Sequence, residues 1–164
     1  MKKKIQNKAT KITISLLLIL LILSISWFIV THNVYYGFRN SEDHLNSRGW
    51  LADRICPSYV YQQNDYIIQI YYPEYLSLTG NLVISTKDDR YSLFIWPGIL
   101  EKTSYGVSLH DENSNTGYMM DIKREVSIDS LKAEDPLNQE RLDSNADIVT
   151  ELLNFVDKKW GEIL

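Results

Sequence analysis

Residues 12–30 read ITISLLLILLILSISWFIV, and this stretch decides the architecture of the chain. Fourteen of its 19 residues are Ile, Leu, Val or Phe, and none is charged. As an α-helix it would be about 28 Å long, which is close to the ~30 Å thickness of the hydrocarbon layer of a bilayer. The stretch therefore predicts one transmembrane helix, with the lipid bilayer as its partner.

Charge is distributed unequally on the two sides of this stretch. Five lysines precede it, at positions 2, 3, 4, 8 and 11, whereas all 21 acidic residues follow it. By the positive-inside rule, residues 1–11 are expected to form a basic cytoplasmic tail, and the rest of the chain is expected to lie outside the plasma membrane. The sequence thus predicts a single-pass protein with an uncleaved signal anchor.

A cleavable signal peptide is the alternative interpretation of the same N-terminus. A basic region, an apolar segment over residues 12–23 and the small residues Ser24 and Ser26 fit a cleavage site after Ser26, which would release a secreted domain. The apolar run continues through Val30, and this favours the retained helix. Both interpretations export the same domain. The chain does not fit a lipoprotein, because its single cysteine, Cys56, lies far beyond the apolar segment.

The exported part, residues 31–164, is acidic. It contains 12 of the 17 Lys and Arg residues and all 21 Asp and Glu residues, so its net charge is −9 with histidine neutral. Such a domain is not expected to bind nucleic acid, since it would be repelled by phosphates. With one cysteine it has no internal disulfide, so a hydrophobic core must hold it. Cys56 is expected to be a small buried or half-buried residue rather than a reactive thiol. An exported domain with so little cysteine is typical of a bacterial surface.

The pattern of apolar residues predicts an α+β domain over residues 58–164, preceded by a juxtamembrane helical segment over residues 31–57. Period-two alternation and turn residues indicate short strands joined by tight polar turns, which together predict a five- to six-stranded antiparallel meander. The expected strands are residues 59–61, 66–72, 81–86, 91–96, 104–109 and 118–126.

Two helices are expected after the strands. Asp135 followed by Pro136 is typical of a helix start and predicts a short helix through Leu142. A longer amphipathic helix is expected from Ser144 or Asn145 to about residue 163, because apolar residues recur there at steps of three and four. Its apolar stripe should pack on the apolar face of the sheet.

A search for catalytic and metal-binding patterns yields no candidate that we adopt. The three histidines, His32, His44 and His110, lack the spacing of metal ligands. The loop that starts at Asp111 differs from a calcium loop because its glycine is at position seven and Ile122 stands where a glutamate is needed. We therefore predict no cofactor and no catalytic, cofactor-binding or metal-ligating residue.

Two further patterns resemble catalytic arrangements, but neither predicts a catalytic site. Ser108 lies two residues before His110, but the flanking sequence lacks the second glycine of a nucleophile elbow and indicates a strand. The acidic pairs Asp88-Asp89 and Asp111-Glu112 are expected in turns, where a carboxylate is solvated. Nothing in the sequence identifies two of its carboxylates as the acid and base of a glycoside hydrolase.

Aromatic residues are abundant, with 11 Tyr and four Trp, and they suit a half-buried pleated surface. Phe94 and Trp96 alternate with Leu93 and Ile95, so they should lie on the second face of the sheet. That face is expected either to be covered by the flanking helical segments or to contact a protein partner or a second copy. The sequence thus favours a non-enzymatic interaction module over a membrane-tethered enzyme acting on cell-wall or peptide substrates.

Overall fold

The computed structural model describes residues 2–39, 58–110, 117–124 and 131–161 of the 164-residue chain. Its first helix, α1, spans Lys2–Tyr36. Within it, Thr10–Tyr36 is long and apolar enough to cross a membrane, and it is the one such helix among the described residues. These properties alone are weak evidence for a membrane span, because a signal sequence also has them. The prediction that residues 12–30 are helical is confirmed.

Seven strands form a single antiparallel sheet in which each strand pairs with its neighbours along the chain. They are Ser58–Gln63 (β1), Tyr66–Tyr71 (β2), Asn81–Thr86 (β3), Tyr91–Trp96 (β4), Ser104–His110 (β5), Gly117–Arg124 (β6) and Leu131–Ala133 (β7). The predicted α+β class and antiparallel meander are confirmed. The predicted strand number, five to six, is wrong because the sheet has seven.

The strand that the sequence did not reveal is β7. It has three residues and pairs with the end of β6, Ala133 lying opposite Ile122 and Lys132 opposite Lys123. Three residues are too few to show a period of two. The pairing places two lysines directly opposite each other, and like charges at opposite positions of neighbouring strands are destabilising.

The C-terminal region contains a 3₁₀ turn at Pro136–Asn138 and two helices, α2 at Gln139–Ser144 and α3 at Ala146–Trp160. The carboxylate of Asp135 accepts a hydrogen bond from the backbone N–H of Leu137 at 3.0 Å, so the predicted cap before the proline is present. Helix α3 ends at Trp160, three residues before the expected end; residues 162–164 lie outside the described part of the chain.

One face of the sheet, which we call the core face, packs against α3. Its buried side chains alternate along the strands, and the largest fully buried ones include Ile68, Ile70, Leu82, Ile84, Leu93, Ile95 and Val107. Helix α3 contributes Val149, Leu152, Leu153 and Val156, each at most 1% exposed. The predicted packing of the last helix on the sheet is confirmed.

One polar contact joins the sheet to α3 at the edge of this core. The Tyr66 phenol donates a short hydrogen bond to a carboxylate oxygen of Glu151. Burial, followed by the hydrogen bond to Glu151 and the negative charge of that residue, raises the pKa of Tyr66 to about 12. Ionisation of the phenol is disfavoured beyond the ordinary tyrosine range, because it would place two negative charges side by side.

The end of α1 belongs to the domain core. Tyr35 is fully buried, Phe38 is 7% exposed, and the Phe38 ring lies 5.6 Å from that of Trp160 on α3. The Tyr61 hydroxyl on β1 donates a hydrogen bond to the Phe38 carbonyl at 2.9 Å. Helix and domain are thus joined by side-chain packing as well as by the chain. Most of the predicted juxtamembrane segment, residues 40–57, lies outside the described residues, and Cys56 and His44 lie within it.

Candidate functional site

The second face of the sheet is the side opposite α3. It is formed by the alternate strand residues Val60, Ile67, Gln69, Tyr71, Val83, Ser85, Ser92, Phe94, Trp96, Ser108, Met119, Asp121 and Lys123. None of the described helices packs across it, and its apolar members are not part of the core cluster. Val60 is 53% exposed and Met119 is 55% exposed. The C-terminal helices α2 and α3 do not provide the expected cover, because both lie on the core side. The other flanking segment, residues 31–57, lies mostly outside the described residues.

The centre of the second face carries a stacked aromatic pair. The rings of Phe94 and Trp96 lie 6.0 Å apart at an interplanar angle of 17°, and both side chains are half-buried. The Trp96 ring lies against Gly106 of β5, where an added Cβ atom would be 3.0 Å from the ring. Glycine at position 106 therefore allows the indole to rest on the sheet. The sequence signal for this arrangement is a glycine inside a strand.

A row of serines borders the aromatic pair. Ser85, Ser92 and Ser108 lie opposite one another on β3, β4 and β5. The hydroxyls of Ser85 and Ser92 are hydrogen-bonded at 2.8 Å. This row gives the second face a polar border next to its apolar centre, as in many protein contact surfaces.

An open groove of about 720 Å³ lies at the end of the second face where β4, β5, β6 and β7 meet. It is lined by Trp96, Lys102, Thr103, Ser104, Tyr105, Asp121, Ile122, Lys123 and Glu134. The indole of Trp96 thus borders two cationic and two anionic side chains. The backbone N–H of Glu134 donates to the carbonyl of Asp121 at 2.9 Å, which holds this edge of the groove together.

The serine and histidine weighed as a catalytic pair both lie on β5. Ser108 and His110 are half-buried and point to the same side of the strand, because they are two residues apart. Within the described ranges, no hydrogen bond joins their side chains. His110 instead contributes its backbone N–H to the carbonyl of Arg90 at 2.9 Å. Ser108 and His110 therefore act as strand residues of the sheet, and the described contacts do not activate Ser108 as a nucleophile.

The acidic pair Asp88-Asp89 lies in the β3–β4 turn, as predicted. The Thr86 hydroxyl donates to the Asp88 carboxylate at 2.5 Å, and this hydrogen bond lowers the pKa of Asp88. Asp89 has a φ of 57°, which is usual for a turn residue. The Asp88 carboxylate and the Asp89 backbone therefore both contribute to the turn. The loop that begins with Asp111 and Glu112 lies outside the described residues up to position 116.

Metal-ligating groups do not converge in the parts of the chain that the structure describes: no three or more His, Cys, Asp or Glu side chains are grouped there. His32 lies on α1 between aromatic rings, 5.7 Å from Phe28 and 4.8 Å from Tyr36. His44 lies outside the described residues.

The comparisons with known proteins give no assignment: no protein-family model, curated protein or solved structure matches this chain. The site must therefore be interpreted from its own geometry. That geometry is a partly apolar sheet face with a stacked aromatic pair, a serine border and a charged groove at one end.

Proposed function

We propose that the chain is a membrane-anchored, non-enzymatic interaction module of a bacterial cell envelope. In this proposal α1 spans the plasma membrane, residues 1–11 are cytoplasmic and the domain lies outside. The charge distribution supports it, because five lysines precede the apolar stretch and residues 31–164 carry a net charge of −9.

The retained anchor is supported by the continuity of α1. The helix runs without interruption through Ser24 and Ser26 to Tyr36. Ser24 and Trp27, on either side of the alternative cleavage site, both hydrogen-bond the same loop of the domain. Cleavage after Ser26 would break the first of these contacts. The mass of the mature N-terminus tests this part of the proposal, and a chain that begins at Trp27 would contradict it.

The observation that carries the interaction role is the stacked Phe94–Trp96 pair on the second face. Half-buried aromatic rings on a flat surface lose further contact with water when a partner covers them, and aromatic residues dominate the binding energy of protein interfaces. Completing the burial of one such ring is worth about 1 kcal/mol or more. The partner we propose is another protein of the envelope, because the face carries stacked aromatic rings and exposed apolar side chains and the domain is too acidic to bind nucleic acid.

Site-specific photo-crosslinking of the full-length chain in its membrane tests this function. A photoreactive phenylalanine analogue at position 94 is expected to form a cross-linked product with one defined protein, and Trp96→Ala is expected to reduce its yield. The same analogue at Leu137, which is 87% exposed and lies in the 3₁₀ turn, is the matched control. Equal products at both positions, or none at position 94, would contradict the proposal. A product with the mass of two copies would identify self-association.

A second candidate function is a membrane-tethered enzyme acting on cell-wall or peptide substrates. The groove favours this candidate because it brings Asp121 and Glu134 to one concave surface with two lysines. In that case Asp121→Asn or Glu134→Gln would abolish the hydrolysis of wall glycan fragments or peptides by the purified chain. If the unmodified chain hydrolyses neither substrate class, this candidate is wrong and the interaction role is unaffected.

A further inference from the structure

The loop between β2 and β3, residues 72–80, lies alongside the second half of α1. The hydroxyls of Ser24 and Tyr75 are hydrogen-bonded at 2.5 Å. The Trp27 indole donates to the carbonyl of Ser77, and its ring meets that of Tyr75 edge to face at 5.4 Å. These contacts tie the loop to a fixed level of the helix.

The other end of the loop is held against the same helix by Gly80. Its backbone N–H donates to the Tyr35 hydroxyl at 2.9 Å. A Cβ atom at this position would be 2.9 Å from the Tyr35 ring and 2.4 Å from the Tyr71 carbonyl. Glycine thus permits a close approach that a larger residue would prevent. The loop is therefore bound to α1 at two levels, near Ser24 and near Tyr35.

Burial along α1 shows where the domain begins to cover it. The large apolar side chains from Ile12 to Leu23 are all at least half exposed, whereas Thr31 and Tyr35 are fully buried. On the opposite side of the same helical turns, Ile25 and Ile29 remain 50% and 52% exposed. One side of the helix thus contacts the domain while the other side still presents aliphatic residues.

This geometry places the loop at a depth in the bilayer. If the hydrocarbon layer ended at Ser24, only about 18 Å of the apolar stretch would lie within a layer of about 30 Å. Ile25 and Ile29 would then face water. If the layer instead extends to Val30, Ser24 and its partner Tyr75 lie about 9 Å below its edge, at a rise of about 1.5 Å per residue. Depths of about 5–10 Å are typical of interfacial membrane segments.

The composition and shape of the loop fit that depth. Tyr75 is 66% exposed, Leu76 is 51% exposed, and Glu74 is the only charged residue among residues 72–80. Leu76 has a φ of 62°, a left-handed conformation that a leucine rarely adopts. The backbone at Leu76 is therefore conformationally strained, and its apolar side chain is directed outward. Tyrosine is also enriched where membrane and water meet.

We propose that the tip of this loop, residues 74–78, inserts into the headgroup–acyl boundary of the leaflet on the domain side. This inference rests on the proposed membrane anchoring by α1. With two points of attachment, the helix and the loop tip, the domain has a fixed height and tilt above the bilayer. The second face of the sheet is then held in one orientation relative to the membrane.

Fluorescent probes at single cysteines test the depth. The full-length chain with Cys56→Ser is reconstituted into phosphatidylcholine vesicles, and an environment-sensitive probe is attached at Leu76→Cys. The expected result is a blue-shifted emission, quenching by nitroxide on the lipid acyl chains and protection from aqueous iodide. Asp65→Cys is the matched control, because Asp65 precedes β2 at the opposite end of that strand and its side chain is 86% exposed. There the probe should be quenched by iodide.

A third probe separates failure of the loop from failure of the anchor. Leu18→Cys lies in the middle of the apolar stretch and should be quenched by the lipid nitroxide. If the Leu18 probe is quenched by lipid and the Leu76 probe by iodide, the loop proposal is wrong and the anchor stands. If both are quenched by iodide, anchoring itself is wrong. Tyr75→Cys provides a second loop position, and circular dichroism verifies that each labelled chain is folded.

Discussion

The two faces of the sheet are built from the same strands but differ in what covers them. On β4, Leu93 and Ile95 are fully buried under α3, whereas their neighbours Phe94 and Trp96 on the second face are half-buried. Both sets are largely apolar. On the second face Val83 and Ser92 are buried to 6% and 8% exposure, whereas the core face reaches complete burial under α3. The difference teaches that alternation determines which residues share a face, while complete burial of large side chains depends on the amphipathic helix.

The largest effect is expected from a charge on the helix that closes the core face. Leu152→Asp should unfold the domain, because the carboxylate would enter the core without a partner and cost several kcal/mol of a total stability of about 5–15 kcal/mol. Thermal unfolding followed by circular dichroism measures the loss. Asn154→Asp, on the exposed side of α3, is the control and should leave the Tm nearly unchanged. An unchanged Tm for Leu152→Asp would contradict the packing of α3 on the sheet.

A matched pair of substitutions compares the faces directly. Leu93→Ala should lower the free energy of unfolding by about 2–5 kcal/mol, since it leaves a cavity in the core. Phe94→Ala, one residue later, should lower it by about 1 kcal/mol, since this ring is only half-buried. Chemical denaturation of the two variants provides the measurement. Equal losses would mean that the second face is as fully packed as the core face.

The next effect concerns the position of the indole on the second face. Gly106→Val should destabilise the domain by about 1–3 kcal/mol, because the new side chain collides with Trp96. Trp96→Ala should remove the collision. The double variant, with Gly106→Val and Trp96→Ala, is therefore expected to lose less stability than the sum of the losses of the two single variants. Denaturation of the four proteins completes the cycle. Additive losses would show that the ring does not rest on residue 106.

The smallest effect is a pH dependence at the edge of the core face. The pKa of Tyr66 is raised from its ordinary value near 10 to about 12, so its neutral form is favoured in the folded state. Its contribution to stability is therefore fully present below about pH 10 and is lost as the pH rises to about 12. Tyr66→Phe should reduce this alkaline loss. The test is to measure the free energy of unfolding of both proteins from neutral to alkaline pH. If the two curves of free energy against pH are parallel, the alkaline loss does not come from Tyr66.

Much of the fold could be predicted because its signals are local. The alternation in Ser104–His110 and the three- and four-residue steps in Ala146–Trp160 identify a strand and an amphipathic helix without reference to the rest of the chain. Leu131–Ala133 could not be identified, because a strand of three residues forms only through its pairing with β6. Strands of that length depend on tertiary contacts.

The candidate site was only partly predictable for the same reason. Phe94 and Trp96 could be assigned to one face from alternation, but their stacking and the support from Gly106 depend on the register between β4 and β5. The groove depends on β7, which brings Glu134 beside Asp121. The contact of residues 72–80 with α1 joins segments about 50 residues apart, and no periodicity reports such a contact.

The contact between Phe38 and Trp160 has a consequence for biosynthesis. The ribosome makes Trp160 122 residues after Phe38, so the core face cannot be covered until helix α3 has been synthesised. Each hairpin of the meander can form as it leaves the ribosome. The core face, however, stays uncovered until the 15 residues of Ala146–Trp160 have been synthesised. A nascent chain arrested before Ala146 would therefore expose the apolar core face. Exposed apolar surfaces of this kind are recognised by quality-control proteases.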